Sequence, residues 1–395
     1  MASIRTLENA EVAGKKVICR VDFNVPLKDG VVTDDLRIRA ALPTIRYLLD
    51  KGARLILVSH LGRPAGTGYE QAYSLAPVAA RLSELLGAPV AFATDTIGPN
   101  AHQKVDALED GQAVLLENVR FDKREKKNDP EFTRQLASLG QVFVNDAFGT
   151  AHRAHSSTAG LAEVLPAYAG FLMAREIGTL KGMLDDPKHP FVAILGGSKV
   201  SDKIGVIDAL MDKADTLLIG GGMCFTFLKA QGLGIGTSLC EDELLDTART
   251  LMEKAPEKGV TLLLPVDVVA ADRFAADADA ITVPADAIPA DRMGLDIGPK
   301  TVEAYAAQIA QAATVFWNGP MGVFEMPRFE AGTRGVGEAV AQAPGQTIIG
   351  GGDSAAAAKQ FGLDDRMDFI STGGGASMEL VEGKVLPGVA PLIED

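Results

Sequence analysis

The stretch ILGGSKVSDKIG, residues 194–205, runs an apolar segment into two glycines and then into a helical pattern that carries Lys199 and Lys203. An apolar strand that ends on glycines and turns into a helix is the corner at which open α/β sheets hold phosphates. The Walker pattern G-x-x-x-x-G-K-[ST] is absent, so the two lysines need another account. Positions i and i+4 share one face of a helix, and this spacing predicts that both ammonium groups meet one cluster of phosphates. Two solvated lysines on an amphipathic helix would have the same spacing.

The corner repeats along the chain. KVICRVDFNV, ARLILVSHLG, PVAFATD, AVLLENVRF and QVFVNDAFG occupy the first half. FVAILGG, TLLIGGG, VTLLLPVDVVA, TVFWNGPMG, QTIIGGGDS and DFISTGGG occupy the second. Near-continuous apolar strands separated by helical segments predict buried parallel sheets, hence two doubly wound, Rossmann-like α/β domains. Between the halves, Met173, Ile177, Leu180 and Leu184 form one apolar stripe bounded by Pro166 and Pro187. The stripe predicts a long helix joining the domains. The expected division is a first domain over residues 1–166, a connecting helix over 167–187, and a second domain over 188–375.

The chain has 395 residues, a length that favours roughly two or three domains. A formal net charge of −14 argues against nucleic acid as a partner, which would need a basic footprint. MASIRTLENAEV has no signal-like apolar region, and Pro265 and Asp267 interrupt the longest apolar run, so no membrane segment is expected and the location reads as cytoplasmic. Three cysteines without a C-x-x-C spacing suggest neither a disulfide framework nor a zinc site.

Candidate site residues gather at strand ends. In the first half they are Asp22, Asn24, His60, Arg63, Arg120, His152, Arg153 and His155, with Arg37 and Arg39 following the first strand. Of the 19 arginines, 13 lie at or before Arg175, which concentrates fork-shaped donors where a small, highly anionic substrate could be gripped. In the second half the strand ends are glycine-rich: 196–197, 220–222, 350–352 and 373–375. Close backbone approach there suits a polyphosphate. Asp353, at the expected start of a helix, is either a helix cap or a Mg²⁺ ligand, because an acid among phosphate-binding amides needs a cation between itself and the phosphate.

Taken in order, VDFNVPL, SHLGRP, LLENVRF, VNDAFGTAHRAHSST, GGSKVSDKI, GLDIGP, WNGPMGVFE, GGGDSAAA and STGGGAS resemble the signatures of the phosphoglycerate kinase family over nearly the whole chain. Cys19, Arg292 and the basic loop after Phe121 carry no part of the resemblance. It implies that the first domain binds 3-phosphoglycerate or 1,3-bisphosphoglycerate through Asp22, Asn24, Arg37, His60, Arg63, Arg120 and Arg153. The second would bind MgADP or MgATP through Lys203, Gly294, Glu325, Gly351, Gly352, Asp353 and Ser354, with Asp353 on the metal. Arg37, Lys199 and Lys203 would stabilise the phosphoryl group in flight, the tail from about 376 to 395 would return to the first domain, the domains would close by hinge bending, and the protein would be a monomer.

Two other classes compete. Gly350, Gly352 and Ala355 formally satisfy the dinucleotide fingerprint, but the next strand ends in Ser371 and Thr372 instead of the acid that takes a ribose hydroxyl. A two-lobed binding protein would hold phosphorylated metabolites without Mg²⁺-dependent ATP formation.

Overall fold

The computed structural model describes residues 4–394. Two compact units divide the chain, one made of the residues up to Gly178 together with those from Val385 onward, the other of Thr179–Lys384. The division falls inside a single helix, Phe171–Asp185. Residues 376–384, expected with the first domain, cluster with the second.

The first unit holds a six-stranded sheet of β1 (Lys16–Arg20), β2 (Arg54–Val58), β3 (Val90–Phe92), β4 (Ala113–Leu115), β5 (Val142–Asn145) and β6 (Ala167–Ala169). All pairings are parallel, in the order β3-β4-β2-β1-β5-β6. The β1 and β2 side chains are buried from the second residue on, as both faces of a parallel sheet must be when helices cover them. Val17, Cys19, Leu55, Leu57, Leu115 and Val144 pack against Ile38, Ile45, Leu48, Val78 and Leu82 of the helices Leu36–Asp50 and Ala76–Leu86.

β6 was not expected. Residues 167–169 read as the start of the connecting helix, but they pair with β5, and the helix begins only at Phe171. Asp146 sets that start: its carboxylate accepts from the Leu172 and Met173 amides at 2.9 and 3.2 Å. Within the helix Met173, Ile177 and Leu180 are buried as the stripe predicts, while Met183 takes the fourth inward position and Leu184 is half-buried.

The second unit has β7 (Phe191–Leu195), β8 (Thr216–Ile219), β9 (Thr261–Leu263), β10 (Thr314–Asn318), β11 (Gln346–Ile349) and β12 (Phe369–Ile370). They are again parallel, in the order β9-β8-β7-β10-β11-β12. The order reverses between β7 and β10, so a crevice is expected outside the carboxyl ends of Leu195 and Asn318.

The run VTLLLPVDVVA is not one strand. It breaks at Pro265 into β9 and the strand Asp267–Ala271, which pairs antiparallel with Ala280–Pro284 and Met293–Ile297 in a separate small sheet. Proline has no N–H for a ladder, and Asp267 just beyond it turns inward to cap the helix Pro299–Ile309 through the Thr301 and Lys300 amides.

Candidate active site

In the first unit the predicted residues converge at the carboxyl edge of β1, β2 and β4. The loop after β1 presents Asp22, whose Oδ2 lies 2.6 Å from Nη1 of Arg37. Asn24 Oδ1 accepts from the Gly62 amide at 2.8 Å, and Arg120 donates to the Gly62 carbonyl at 3.0 Å. Both therefore pin the turn that carries Arg63, and Arg63 and Arg153 are exposed. Burial pushes Arg120 down to about 10, helped by repulsion from Arg20 and, more weakly, from Arg153. It remains charged at neutral pH, so the edge holds like charges together in a way that an anion would relieve.

His60 is buried, and burial together with Arg20, Arg120 and Arg37 holds its pKa well below the ordinary value. Arg20 contacts His60 Nδ1 at 3.0 Å, and arginine only donates, so the neutral ring carries its hydrogen on Nε2. Arg20 was not among the expected residues. It is fully buried and is held from behind by Ser157, which in turn donates to Glu125 at 2.7 Å. Only the tertiary fold reveals this support, because Glu125 lies in the basic loop after Phe121, where nothing local marks it as buried.

In the second unit the opening stretch departs from expectation. Residues 196–200 are irregular, 201–203 form a turn, and the helix runs only over Ile204–Leu210. Val200 O accepts from both Lys203 N and Ile204 N, which closes the turn and starts the helix one residue after Lys203. The two lysines therefore do not share a helical face. Lys199 is exposed, whereas Lys203 is half-buried at the helix N-cap and donates to Asn318 Oδ1 across the crevice where the sheet order reverses. Burial lowers the Lys203 pKa, with Asp202, Asp353 and Glu382 opposing that shift.

The first glycine loops serve each other. Gly197, Gly221 and Gly319 have positive φ, and a Cβ on Gly196 would stand 2.1 Å from Pro320 O. Gly197 donates to Pro320 O and Gly221 to Met321 O, at 3.0 Å each, so three strand ends interlock. Gly351, with φ +93°, caps the helix Gly352–Gln360, and Asp353 is the second residue of that helix, not its cap. Ser354 is buried and accepts from the Gly319 amide at 2.6 Å. A Cβ on Gly352 would meet nothing, so the helix start is open to a ligand.

Beside these loops lies a cavity of about 500 Å³. Gly294, Glu325 and Asp353, which the resemblance assigns to the nucleotide, line it together with Leu239, Phe274, Met293 and Val323, which sequence reasoning did not single out. Apolar loop residues leave no signal distinct from core. Gly294 could not be larger, because its Cβ would lie 2.0 Å from Phe225. No group of three or more His, Cys, Asp or Glu able to hold a metal occurs among the described residues. A single carboxylate such as Asp353 suits Mg²⁺, which takes most of its ligands from phosphate oxygens and water.

Arginines at one sheet edge suit a small anion, while an apolar cavity opening onto helix amides and two acids, Glu325 and Asp353, suits a nucleotide with its phosphates. Transfer of a phosphoryl group is the chemistry that uses both, and the class is that of a kinase. The family description "Phosphoglycerate kinase" matches residues 7–384. A phosphoglycerate kinase of Synechococcus sp. (strain JA-2-3B'a(2-13)) is 59% identical over 97% of this chain and 96% of its own. Cytosolic phosphoglycerate kinase 3 of Arabidopsis thaliana is 57% identical over 99% and 98%. The solved phosphoglycerate kinase of Coxiella burnetii superposes with a TM-score of 0.92 at 47% identity, covering 99% of both chains. The chain belongs to the phosphoglycerate kinase family, whose reaction is reversible glycolytic phosphoryl transfer between 1,3-bisphosphoglycerate and ADP, giving 3-phosphoglycerate and ATP.

Proposed function

We propose that the first unit binds the phosphoglycerate and the second the nucleotide, and that phosphoryl transfer is direct and in line. The observation that carries this reading is the half-buried Lys203, held by Asn318 at the reversal point of a sheet whose cavity is tipped by Asp353. Asp22, Asn24, His60, Arg63, Arg120 and Arg153 hold the phosphoglycerate, with the neutral His60 able to donate from Nε2. Lys203, Gly294, Glu325, Gly351, Gly352, Asp353 and Ser354 hold the nucleotide. Asp353 would hold Mg²⁺, which supplies charge neutralisation on the phosphates when bound.

The acceptor carboxylate of 3-phosphoglycerate is already ionised at neutral pH, so no general base is needed. The protein's part is position and charge. Arg37 and Lys203, with Lys199 and the amides at Gly352, stabilise the charge spread over the moving phosphoryl oxygens. Reacting atoms must come within roughly 3 to 3.5 Å. The two ligands belong to different units, so the units close on each other when both are bound, bending at the ends of the connecting helix and near STGGGAS. A scattering radius that shrinks only with both ligands present is the expected result.

This reading takes the protein as a cytoplasmic monomer. No helix among the described residues is long and apolar enough to cross a membrane. Coupled ATP formation from 1,3-bisphosphoglycerate and ADP, dependent on Mg²⁺, tests the whole proposal. Reduction of NAD without nucleotide phosphates would overturn it.

A further inference from the structure

Arg292 lies outside every family-like motif, yet it touches two walls of the cavity. Its backbone carbonyl accepts from Thr237 N at 2.8 Å, and Gly236 packs so closely beneath that a Cβ there would lie 2.1 Å from the same oxygen. Thr237 and Leu239 of that segment line the cavity, as do Met293 and Gly294 next to Arg292. Its guanidinium reaches the other way, with Nη1 donating to Asp279 O at 2.9 Å and Nη2 to Asp279 Oδ2 at 2.7 Å. Asp279 closes the loop of residues 272–279 through bonds to Asp272 in both directions, and that loop carries Phe274. Phe274 is 62% exposed although it lines the cavity, so few contacts of its own fix it there. The loop's other arginine, Arg273, is engaged with Asp272 and Asp277 within the loop, which leaves Asp279 to Arg292. The Arg292 side chain is only 19% exposed against 70% for Asp279, so the guanidinium is the anchored partner and the loop is what it holds.

We infer that Arg292 is a positioning residue for nucleotide binding: it latches the Phe274 loop over the cavity whose opposite wall its own backbone supports. The inference rests on the reading of that cavity as the nucleotide site. The latch has a charged half, to the Asp279 carboxylate, and a half in which the guanidinium donates to the Asp279 carbonyl and which survives loss of that carboxylate. Exposed pairs are individually weak, so the effects are modest and graded.

The test is a set of full-length variants titrated with MgADP by calorimetry. Asp279→Asn should raise Kd about two- to fivefold and Arg292→Met about five- to twentyfold, with Arg292→Lys between wild type and Arg292→Met, while the Kd for 3-phosphoglycerate stays put. A double-mutant cycle separates this from a general structural effect. In a Phe274→Ala background, Arg292→Met should add less than about a twofold further loss, because the latch acts through Phe274. Additive losses, or an unchanged MgADP Kd in Arg292→Met while Phe274→Ala weakens binding, would overturn the latch and leave the cavity assignment standing. No weakening in Phe274→Ala would overturn both.

Discussion

Lys203 donates its ammonium to Oδ1 of Asn318, and the same Asn318 amide donates from Nδ2 to Gly350 O at 2.6 Å. One buried side chain thus ties the lysine turn after β7 to the glycine loop after β11, across the point where the strand order reverses. Lys203→Ala should lower kcat on the order of 10³-fold or more, in line with other transition-state cations in phosphoryl transfer. Asn318→Ala leaves the ammonium in place but unaimed and should cost on the order of 10²-fold. Burial lowers the Lys203 pKa, so its positive charge is lost at lower pH than for an ordinary lysine. The alkaline limb of kcat/KM for ADP should fall correspondingly early and should vanish in Lys203→Ala. Full kcat in that variant would remove Lys203 from the mechanism.

The basic edge of the first unit predicts a split among arginines. Arg37 is already engaged by Asp22; under the proposed role, in which its charge acts as negative charge redistributes, Arg37→Ala should lower kcat with little change in KM. Arg63 and Arg153 are exposed donors suited to a static phosphate. Replacing either by alanine should raise the KM for 3-phosphoglycerate roughly ten- to hundredfold, the value of one charge-assisted hydrogen bond. Steady-state kinetics in the ATP-consuming direction reads both. A kcat effect in Arg63→Ala equal to that in Arg37→Ala would erase the distinction.

The strands were legible because parallel sheets bury both faces, which leaves unbroken apolar runs such as those of β1, β2 and β7. The connecting helix was legible from Met173, Ile177 and Leu180, though its start was not, because β6 is three residues long and Asp146, which caps the helix from the end of β5, lies 26 residues earlier in the sequence than Leu172. Residues 196–203 mimicked a helix in spacing, but the positive φ of Gly197 and the Val200 turn postpone the helix to Ile204. The small antiparallel sheet was hidden because its strand Ala280–Pro284 is largely exposed and so lacks an apolar face. The charged candidates stood out at strand ends. Arg20 and Asn318, buried at ends of the same strands, did not, since nothing local separates them from ordinary polar residues.

Asp296 gives the second unit a pH-dependent stability. Burial raises its pKa to about 8, against the opposing pull of the Gly332 and Ile297 amides that it accepts. The folded state therefore holds a proton that the unfolded chain releases near ~4. Stability from this group is complete below that pH and is lost as pH rises toward 8, by at most about 1.4 kcal/mol per pH unit. Trp317 is the only tryptophan and lies in the core of this unit, so its fluorescence follows the transition. Asp296→Asn should match wild type near pH ~4 and gain on it steadily toward pH 8. Parallel pH profiles for the two proteins would contradict the buried protonated carboxyl.

Asp353 offers the sharpest separation of structure from chemistry. It is the second residue of its helix, and the positive φ of Gly351 already forms the cap, so the side chain is not needed to begin the helix. An acid in a first turn contributes typically ~0.3–1 kcal/mol through the helix dipole, and Asp353→Ala should cost no more than that in stability. If the carboxylate instead holds Mg²⁺ against the nucleotide phosphates, the same change should cut turnover severely and abolish the gain in ADP affinity that Mg²⁺ brings. Affinity for 3-phosphoglycerate, proposed to bind in the other unit, should stay within about twofold of wild type. Calorimetric titration of ADP with and without Mg²⁺ distinguishes the two roles directly. An unchanged Mg²⁺ dependence in Asp353→Ala would return the residue to an ordinary first-turn acid and send the search for the metal ligand elsewhere in the cavity.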